Sequence, residues 1–302
     1  MIENSDKVKG ISEKKIFNYN GRQMDFTIPR VMGIVNVTPD SFYEASRTSS
    51  PGPLSFRRGG IGGEVSQMQT VAQMIEEGAY IIDIGAVSTR PGAAEVDSSE
   101  EKKRLLPVLK KVRKEYPGII ISVDTYRSEI ARIAAAEGAD MLNDISGGTF
   151  DTQMIETVID LKIPYVIMHI RGTPANMQVN PVYQDVVEEV FSFLLGRAKF
   201  LEEAGHHKII LDPGFGFGKT VDHNYKLLNY LDRLTASGYL VLAGLSRKSM
   251  INRVLGSKPE DALNGTTVLN TVALLKGVSI LRVHDVKEAT EAVKLVTKLH
   301  SY

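Results

Sequence analysis

Short apolar runs alternate with amphipathic stretches along most of this chain. The runs occupy residues 31–37, 80–84, 119–123, 141–142, 165–168, 209–211, 240–243 and 278–283. They are too short for helices and lack an in–out alternation, as expected of strands buried on both faces. Between them, Val65, Met68, Ala72 and Ile75 recur at the three-to-four spacing of a helix with one buried stripe. Residues 98–115 form a second such helix, opened by a capping-box pattern from Ser98 to Glu101. Gly78, Gly138, Gly205, Gly238 and Gly277 stand where helices must stop before the next strand. Pro117-Gly118 and Pro164 serve the two remaining junctions. Strand–helix alternation with right-handed crossovers requires a parallel sheet. Eight such units close into an α/β fold of the (β/α)8 TIM-barrel kind. An open doubly wound sheet would need edge strands, and none of the eight runs reads as one. Ahead of the repeats, Asn20-Gly21 separates two alternating stretches, an N-terminal β-hairpin expected to cap one end of the barrel. Residues 1–15 are polar and read as a loose tail, leaving 16–302 as a single domain.

Bulk composition narrows the classes of function. The 302 residues carry 36 basic and 36 acidic side chains, so no global field selects nucleic acid or an anionic membrane. The chain has no cysteine, which excludes disulfides and thiolate chemistry and suits a reducing compartment. No run of about 18 apolar residues predicts a membrane span, and residues 1–10 lack the apolar core of a secretory signal. A cytoplasmic protein is expected.

The candidate chemistry gathers at the strand ends. In a parallel barrel the carboxyl ends of all strands share one rim. Read in order, those ends carry Asn36, Asp83, Asp124, Asn143 with Asp144, His169, Asp212, Ser246-Arg247-Lys248, and Arg282 with His284. The opposite ends show no such series. Asp124, Asn143 and Asp212 are acceptors for adjacent N–H groups, the edge that a 2-amino-4-oxo pyrimidine presents. Lys248, Arg282, His284 and Arg90 suit phosphate oxygens. Asn36 is placed to complete a Mg²⁺ site whose other ligands are phosphate and water. The composite ligand is a flat, N–H-rich heterocycle with an anionic tail. Asp83 and Asp144 are expected to orient backbone rather than touch it, His169 reads equally as a packed histidine, and His206, His207, His223 and His300 read as surface or loop residues.

The stretch Asp212-Pro-Gly-Phe-Gly-Phe-Gly-Lys-Thr220 supplies a pocket floor in Asp212 and a wall in Phe217. It is not a phosphate-binding P-loop, because the first glycine of that motif would fall on Pro213. Nor is it a dinucleotide fingerprint, whose third glycine would fall on Lys219.

These segments resemble a known family. Asn36-Val-Thr-Pro-Asp-Ser-Phe42, Ser88-Thr-Arg-Pro-Gly92, Ser122-Val-Asp-Thr125, Asn143-Asp144, Asp212-Pro-Gly-Phe-Gly-Phe-Gly-Lys219, Ser246-Arg-Lys-Ser249 and Arg282-Val-His-Asp285 are similar to the motifs of the dihydropteroate synthases. The resemblance runs from about residue 31 to the C-terminus. It implies a pterin-binding transferase of folate biosynthesis, a sulfonamide target, that joins p-aminobenzoate to (7,8-dihydropterin-6-yl)methyl diphosphate and releases 7,8-dihydropteroate and pyrophosphate. It implies that Asp124, Asn143, Asp212 and Lys248 hold the pterin. Asn36, Arg90, Arg282 and His284 would hold the diphosphate, with Asn36 on its Mg²⁺, and Thr89, Pro91, Phe217 and Ser249 would line the p-aminobenzoate site. Arg282, His284 and Lys248 carry the catalytic expectation. A homodimer is implied by the family.

The sequence departs from that pattern in two loops. Gly85-Ala-Val-Ser88 stands where the family has Gly-Gly-Glu-Ser, so Val87 removes a loop charge. After Phe42 the usual Asp-Gly pair is missing, Glu44 stands near the acid position, and residues 48–63 read as an inserted, glycine-rich lid. Two other readings share the barrel: a methyltetrahydrofolate-dependent methyltransferase, and a pterin-binding homologue without turnover.

Overall fold

The computed structural model describes residues 15–37, 62–88 and 96–302. The expected tail, Glu44 and nearly all of the inserted stretch 48–63 lie outside these.

The chain enters through the hairpin β1 (Ile16–Tyr19) and β2 (Arg22–Asp25), paired from Ile16↔Asp25 to Tyr19↔Arg22. Asn20 and Gly21 both take positive φ, +47° and +72°, the two-residue turn whose twist matches paired strands. Phe17 and Met24 face inward and, with Phe26, join Met32, Ile81 and Ile280 in the apolar plug of one barrel mouth.

Eight strands follow: β3 (Arg30–Asn36), β4 (Ile81–Gly85), β5 (Ile120–Asp124), β6 (Met141–Asp144), β7 (Tyr165–Met168), β8 (Ile209–Asp212), β9 (Leu240–Ala243) and β10 (Ile280–Val283). All neighbours are parallel, and β10 closes onto β3. Nearly every strand position is buried, which accounts for the unbroken apolar runs. Alternate residues point into two cores. Ile81, Ile120, Met141 and Ile210 fill the barrel interior, while Ile82, Val123, Leu142 and Leu211 meet the helices.

The outer ring comprises α1 (Gly62–Glu76), α2 (Ser98–Glu115), α3 (Ser128–Ala136), α4 (Met154–Leu161), α5 (Val186–Glu203), α6 (Val221–Asn229), α7 (Leu231–Thr235), α8 (Ser249–Leu255), α9 (Leu263–Leu275) and α10 (Val286–Leu299). The stripe of α1 is broader than expected: Met68 is buried and Ile75 half-buried against the core as predicted, and Val71 and Met74 join them; Met74 reaches so close to Gly33 that a Cβ there would lie 2.8 Å from its Sδ. One expectation is corrected. The cap of α2 is Asp97, whose side chain accepts from the Glu100 amide at 2.8 Å, while Glu101 turns inward and is buried. The five helix-stopping glycines all take positive φ, and the Pro164 junction uses Lys162 at +52°.

The helix-to-strand end carries one buried charge that the strand pattern did not announce. Asp140, just before β6, accepts from Arg22 of the hairpin at 2.9 Å, from Arg113 of α2 and from the Ile121 amide at 2.9 Å. This set staples the hairpin to the barrel floor.

Candidate active site

The strand register decides which polar groups enter the barrel mouth. Ile120 points into the interior, so Ser122 and Asp124 point the same way; Met141 does likewise for Asn143, and Ile210 for Asp212. Arg282, two residues beyond the inward Ile280, enters from the closing strand. Its Nε donates to Asp83 Oδ2 at 2.7 Å and its Nη2 to Asp124 Oδ2 at 2.8 Å. Asn143 Nδ2 donates to the same Asp83 oxygen at 3.0 Å. Four strands thus meet in one polar network. Asp83 is fully buried, and its Oδ1 and the neighbouring Ser122 Oγ have no partner among the described residues.

Burial governs the charges here. It raises the Asp124 carboxyl to about 7 against the pull of Arg282, with Asp83 adding repulsion. It also works against the Arg282 cation, but Asp83 and Asp124 more than reverse that and hold its pKa above the ordinary value. Asp212 is likewise raised by burial, opposed first by Lys248. Burial lowers Lys248 to about 8 despite Asp212.

The glycine-rich loop after β8 forms the side wall. Asp212 Oδ1 accepts the Gly214 amide at 2.7 Å and holds the loop to the strand end. Gly214 has φ +67°, and a Cβ there would lie 2.0 Å from the His169 carbonyl oxygen, so no other residue fits. Phe215 is buried, whereas Phe217 is half-buried. The Lys248 ammonium donates to the Phe215 carbonyl and stands 4.9 Å over the Phe217 ring centroid, a cation–π contact. Asp212, Phe217 and Lys248 therefore share one corner.

The other anticipated residues are placed less uniformly. Asn36 is half-buried at the end of β3, level with Gly85. His284 is exposed; its Nδ1 lies 3.1 Å from Ser246 Oγ and its amide donates to the same oxygen at 3.2 Å. Ser249 opens α8 and is exposed. Thr89, Arg90 and Pro91 lie outside the described residues. Arg247 does not face a ligand: it forks onto Asp285 at 3.0 and 2.8 Å. Asp144 accepts from the amides of Ser146 and Gly148 at 2.7 Å and from Tyr165 Oη at 2.6 Å, the backbone-orienting role expected of it. His169 is a packed histidine, edge-on to Phe193, which burial lowers to about 3. His206 corrects the surface reading: it is buried, and burial lowers it to about 4.

Three groups escaped the sequence reading. Asp83, expected to orient backbone, instead grips Arg282. Lys219 is buried behind the glycine loop, where burial drives it well below the ordinary lysine range. Glu101 accepts from Thr125 Oγ1 at 2.7 Å and pairs with Arg127, which also donates to the Val96 carbonyl at 2.5 Å. A recess of about 570 Å³ on the outer wall, between α4 and α5, is lined by Ile155, Ile159 and Phe200 among others and touches none of these groups.

Among the described residues no three His, Asp or Glu side chains are grouped to hold a metal ion. What the mouth offers is a row of buried acceptors beside a guanidinium and an ammonium, with one aromatic wall.

Comparison with known proteins points the same way. The family model described as "Pterin binding enzyme" matches residues 32–284. Dihydropteroate synthase of Haemophilus influenzae is 42% identical over 278 residues, covering 91% of this chain and 96% of that protein. The Xanthomonas albilineans dihydropteroate synthase solved with 4-aminobenzoic acid superposes with a TM-score of 0.84 at 36% identity, covering 96% of this chain and 99% of that one. The same enzyme in complex with 7,8-dihydropteroate gives a TM-score of 0.81 at 35% identity, covering 95% and 99%.

Proposed function

The chain belongs to the dihydropteroate synthase family of pterin-binding enzymes, and from that premise we propose how its own residues divide the work. The reaction joins p-aminobenzoate to (7,8-dihydropterin-6-yl)methyl diphosphate, giving 7,8-dihydropteroate and pyrophosphate. A methyl-transfer reading and a reading without turnover are set aside, because the relatives are synthases.

Asp212, Asn143 and Asp124 take the pterin. Their inward placement on three strands supports this, and the raised carboxyls of Asp124 and Asp212 stand to gain most from N–H donors that relieve their burial. Lys248 stands over the Phe217 ring, and the arylamine enters between Phe217 and Ser249; the family pattern adds Thr89 and Pro91 to that site. Arg282 and His284 take the diphosphate, to which the family pattern adds Arg90. The bond between the pterin methylene and the diphosphate oxygen breaks as the dihydropterin ring spreads the developing positive charge. The amine nitrogen forms the new C–N bond, and its proton passes to solvent or to the departing pyrophosphate. A free arylamine is already nucleophilic, so the site needs no strong base. Its work is positioning and stabilising the leaving anion.

A Mg²⁺ ion fits this mouth only with the diphosphate as one of its ligands. With one amide oxygen at Asn36 and no acidic cluster among the described residues, most of its ligands must be phosphate and water, as Mg²⁺ tolerates. There it would neutralise leaving-group charge. A cytoplasmic location is supported by the absence of cysteine. A homodimer is supported by exposed Val268, Leu275, Leu295 and Leu299 on the adjacent helices α9 and α10.

The observation that carries the assignment of roles is the single network of Asp83, Asp124, Asn143 and Arg282 at the mouth. Titration of the purified protein with 6-hydroxymethylpterin tests it. Asp124→Ala and Asp212→Ala should each weaken binding at least tenfold, and unchanged affinity in both would move the pterin elsewhere.

A further inference from the structure

We propose that Lys219 is a positioning residue for the arylamine site: from behind the glycine-rich loop, its side-chain nitrogen sets the place of the Phe217 ring. Lys219 is placed against no substrate itself; it meets the loop's backbone from behind. It is buried, and its Nζ donates to the Gly214 and Phe217 carbonyls at 2.9 Å each and to the His169 carbonyl at 3.1 Å, with His169 Nδ1 also at 3.1 Å. Gly214 and Phe217 are the two ends of one tight turn, closed by the Phe217 amide on the Gly214 carbonyl at 3.1 Å. Lys219 therefore clamps both ends of that turn and ties them to the end of β7. The middle of the turn is held from the other side, where Lys248 donates to the Phe215 carbonyl.

Glycines at 214, 216 and 218 all adopt positive φ, conformations that a flexible loop abandons readily unless its backbone groups are engaged. Other contacts hold the rest of the loop: Asp212 and Asn224 accept the Gly214 and Gly216 amides at 2.7 Å each, Gln178 Nε2 donates to the Gly216 carbonyl at 2.6 Å and Tyr183 Oη to the Gly218 carbonyl at 2.8 Å. Among the described residues, Lys219 is the one that engages the Phe217 carbonyl itself. Without it, the buried carbonyls of His169 and Gly214 and the half-buried one of Phe217 lose a donor, and the turn opens toward water. The pterin acceptors stand on strands and keep their places.

This rests on the reading that Phe217 bounds the p-aminobenzoate site, and Phe217→Ala is the control for that reading. The chain has no native cysteine, so Lys219→Cys is alkylated selectively with 2-bromoethylamine after unfolding, which restores an ammonium at nearly the lysine length. Wild type passes through the same unfolding and refolding. Lys219→Cys should raise KM for p-aminobenzoate at least tenfold, with kcat and the dissociation constant for 6-hydroxymethylpterin each within threefold. Aminoethylation should return KM to within threefold of wild type. The proposal is overturned if KM for p-aminobenzoate does not move, if pterin affinity falls as far as KM rises, or if the aminoethyl group fails to rescue. If Phe217→Ala also leaves KM unchanged, the wall reading fails; if it raises KM while Lys219→Cys does not, only the role of Lys219 fails. Should the cysteine variant not refold, Tyr183→Phe is read by the same split, and an unmoved KM there counts against the clamp.

Discussion

Replacing Arg282 by methionine separates two things the guanidinium does. In the mouth it is a partly buried cation proposed to face the pyrophosphate. Loss of one well-placed donor to a developing anion costs about 2.7–4 kcal/mol, roughly 10²–10³ in kcat/KM. In the fold it is the counter-ion of two carboxylates, Asp83 at 2.7 Å and Asp124 at 2.8 Å. Leaving a buried charge without its partner costs about 3–5 kcal/mol. The side chain of Arg282 is 20% exposed, so the lower end applies. Arg282→Met should therefore lose both activity and stability. Arg282→Lys keeps the charge, but a single ammonium cannot span both carboxylates in one plane as the fork does, so about a 10–100-fold loss is expected. The assay is pyrophosphate release at saturating dihydropterin diphosphate with p-aminobenzoate varied, run beside urea denaturation so that only folded enzyme is counted. A folded Arg282→Met variant that kept more than a tenth of wild-type kcat/KM would refute leaving-group stabilisation at this position.

The barrel floor and the histidines give further expectations. Asp140→Ala strips two guanidiniums and an amide of their shared acceptor, so urea denaturation should show a loss of about 3 kcal/mol, with kcat unchanged because the site is at the other end. His206 has its pKa lowered to about 4, so the folded state binds fewer protons than the unfolded one between there and about 6.5. Its contribution to stability is full above about 6.5 and is lost as pH falls toward 4. His206→Gln should reduce the loss between pH 7 and pH 5 by about 2 kcal/mol relative to wild type, read from urea curves at the two values. Gly214→Ala should abolish turnover and lower Tm, because its Cβ would meet the His169 carbonyl oxygen at 2.0 Å; a fully active variant would contradict the loop geometry.

The barrel was legible because its signal is local. Eight apolar runs, the helix-stopping glycines and the Asn20-Gly21 turn each state their conformation within a few residues. Strand-end polarity then exposed Asp124, Asn143, Asp212 and Arg282, since an inward parity follows once the strand is placed. What was lost is non-local. The stripe of α1 widens to take in Met74, which depends on Gly33 of β3 leaving it room across the helix–strand contact. Asp83 looked like a loop former because its partner stands 199 residues away. Lys219 resembled the end of a nucleotide motif, and nothing in its neighbourhood announces that three carbonyls will turn toward it.

The two buried carboxylate–arginine sets at opposite ends of this barrel show what distinguishes a staple from a site. At the floor, Asp140 has both oxygens engaged, one by Arg22 and the other by Arg113 and the Ile121 amide. Nothing is left for a ligand to supply. At the mouth, Asp83 has one oxygen engaged twice while the other is buried without a partner among the described residues, and Asp124 carries a carboxyl raised to about 7 beside its cation. Buried polar groups in folded proteins are satisfied with few exceptions, and the exceptions are costly. A fold that engages the carboxylate at its floor on both oxygens, and leaves those at its mouth only partly engaged, accords with the proposal that the mouth takes further donors from a substrate.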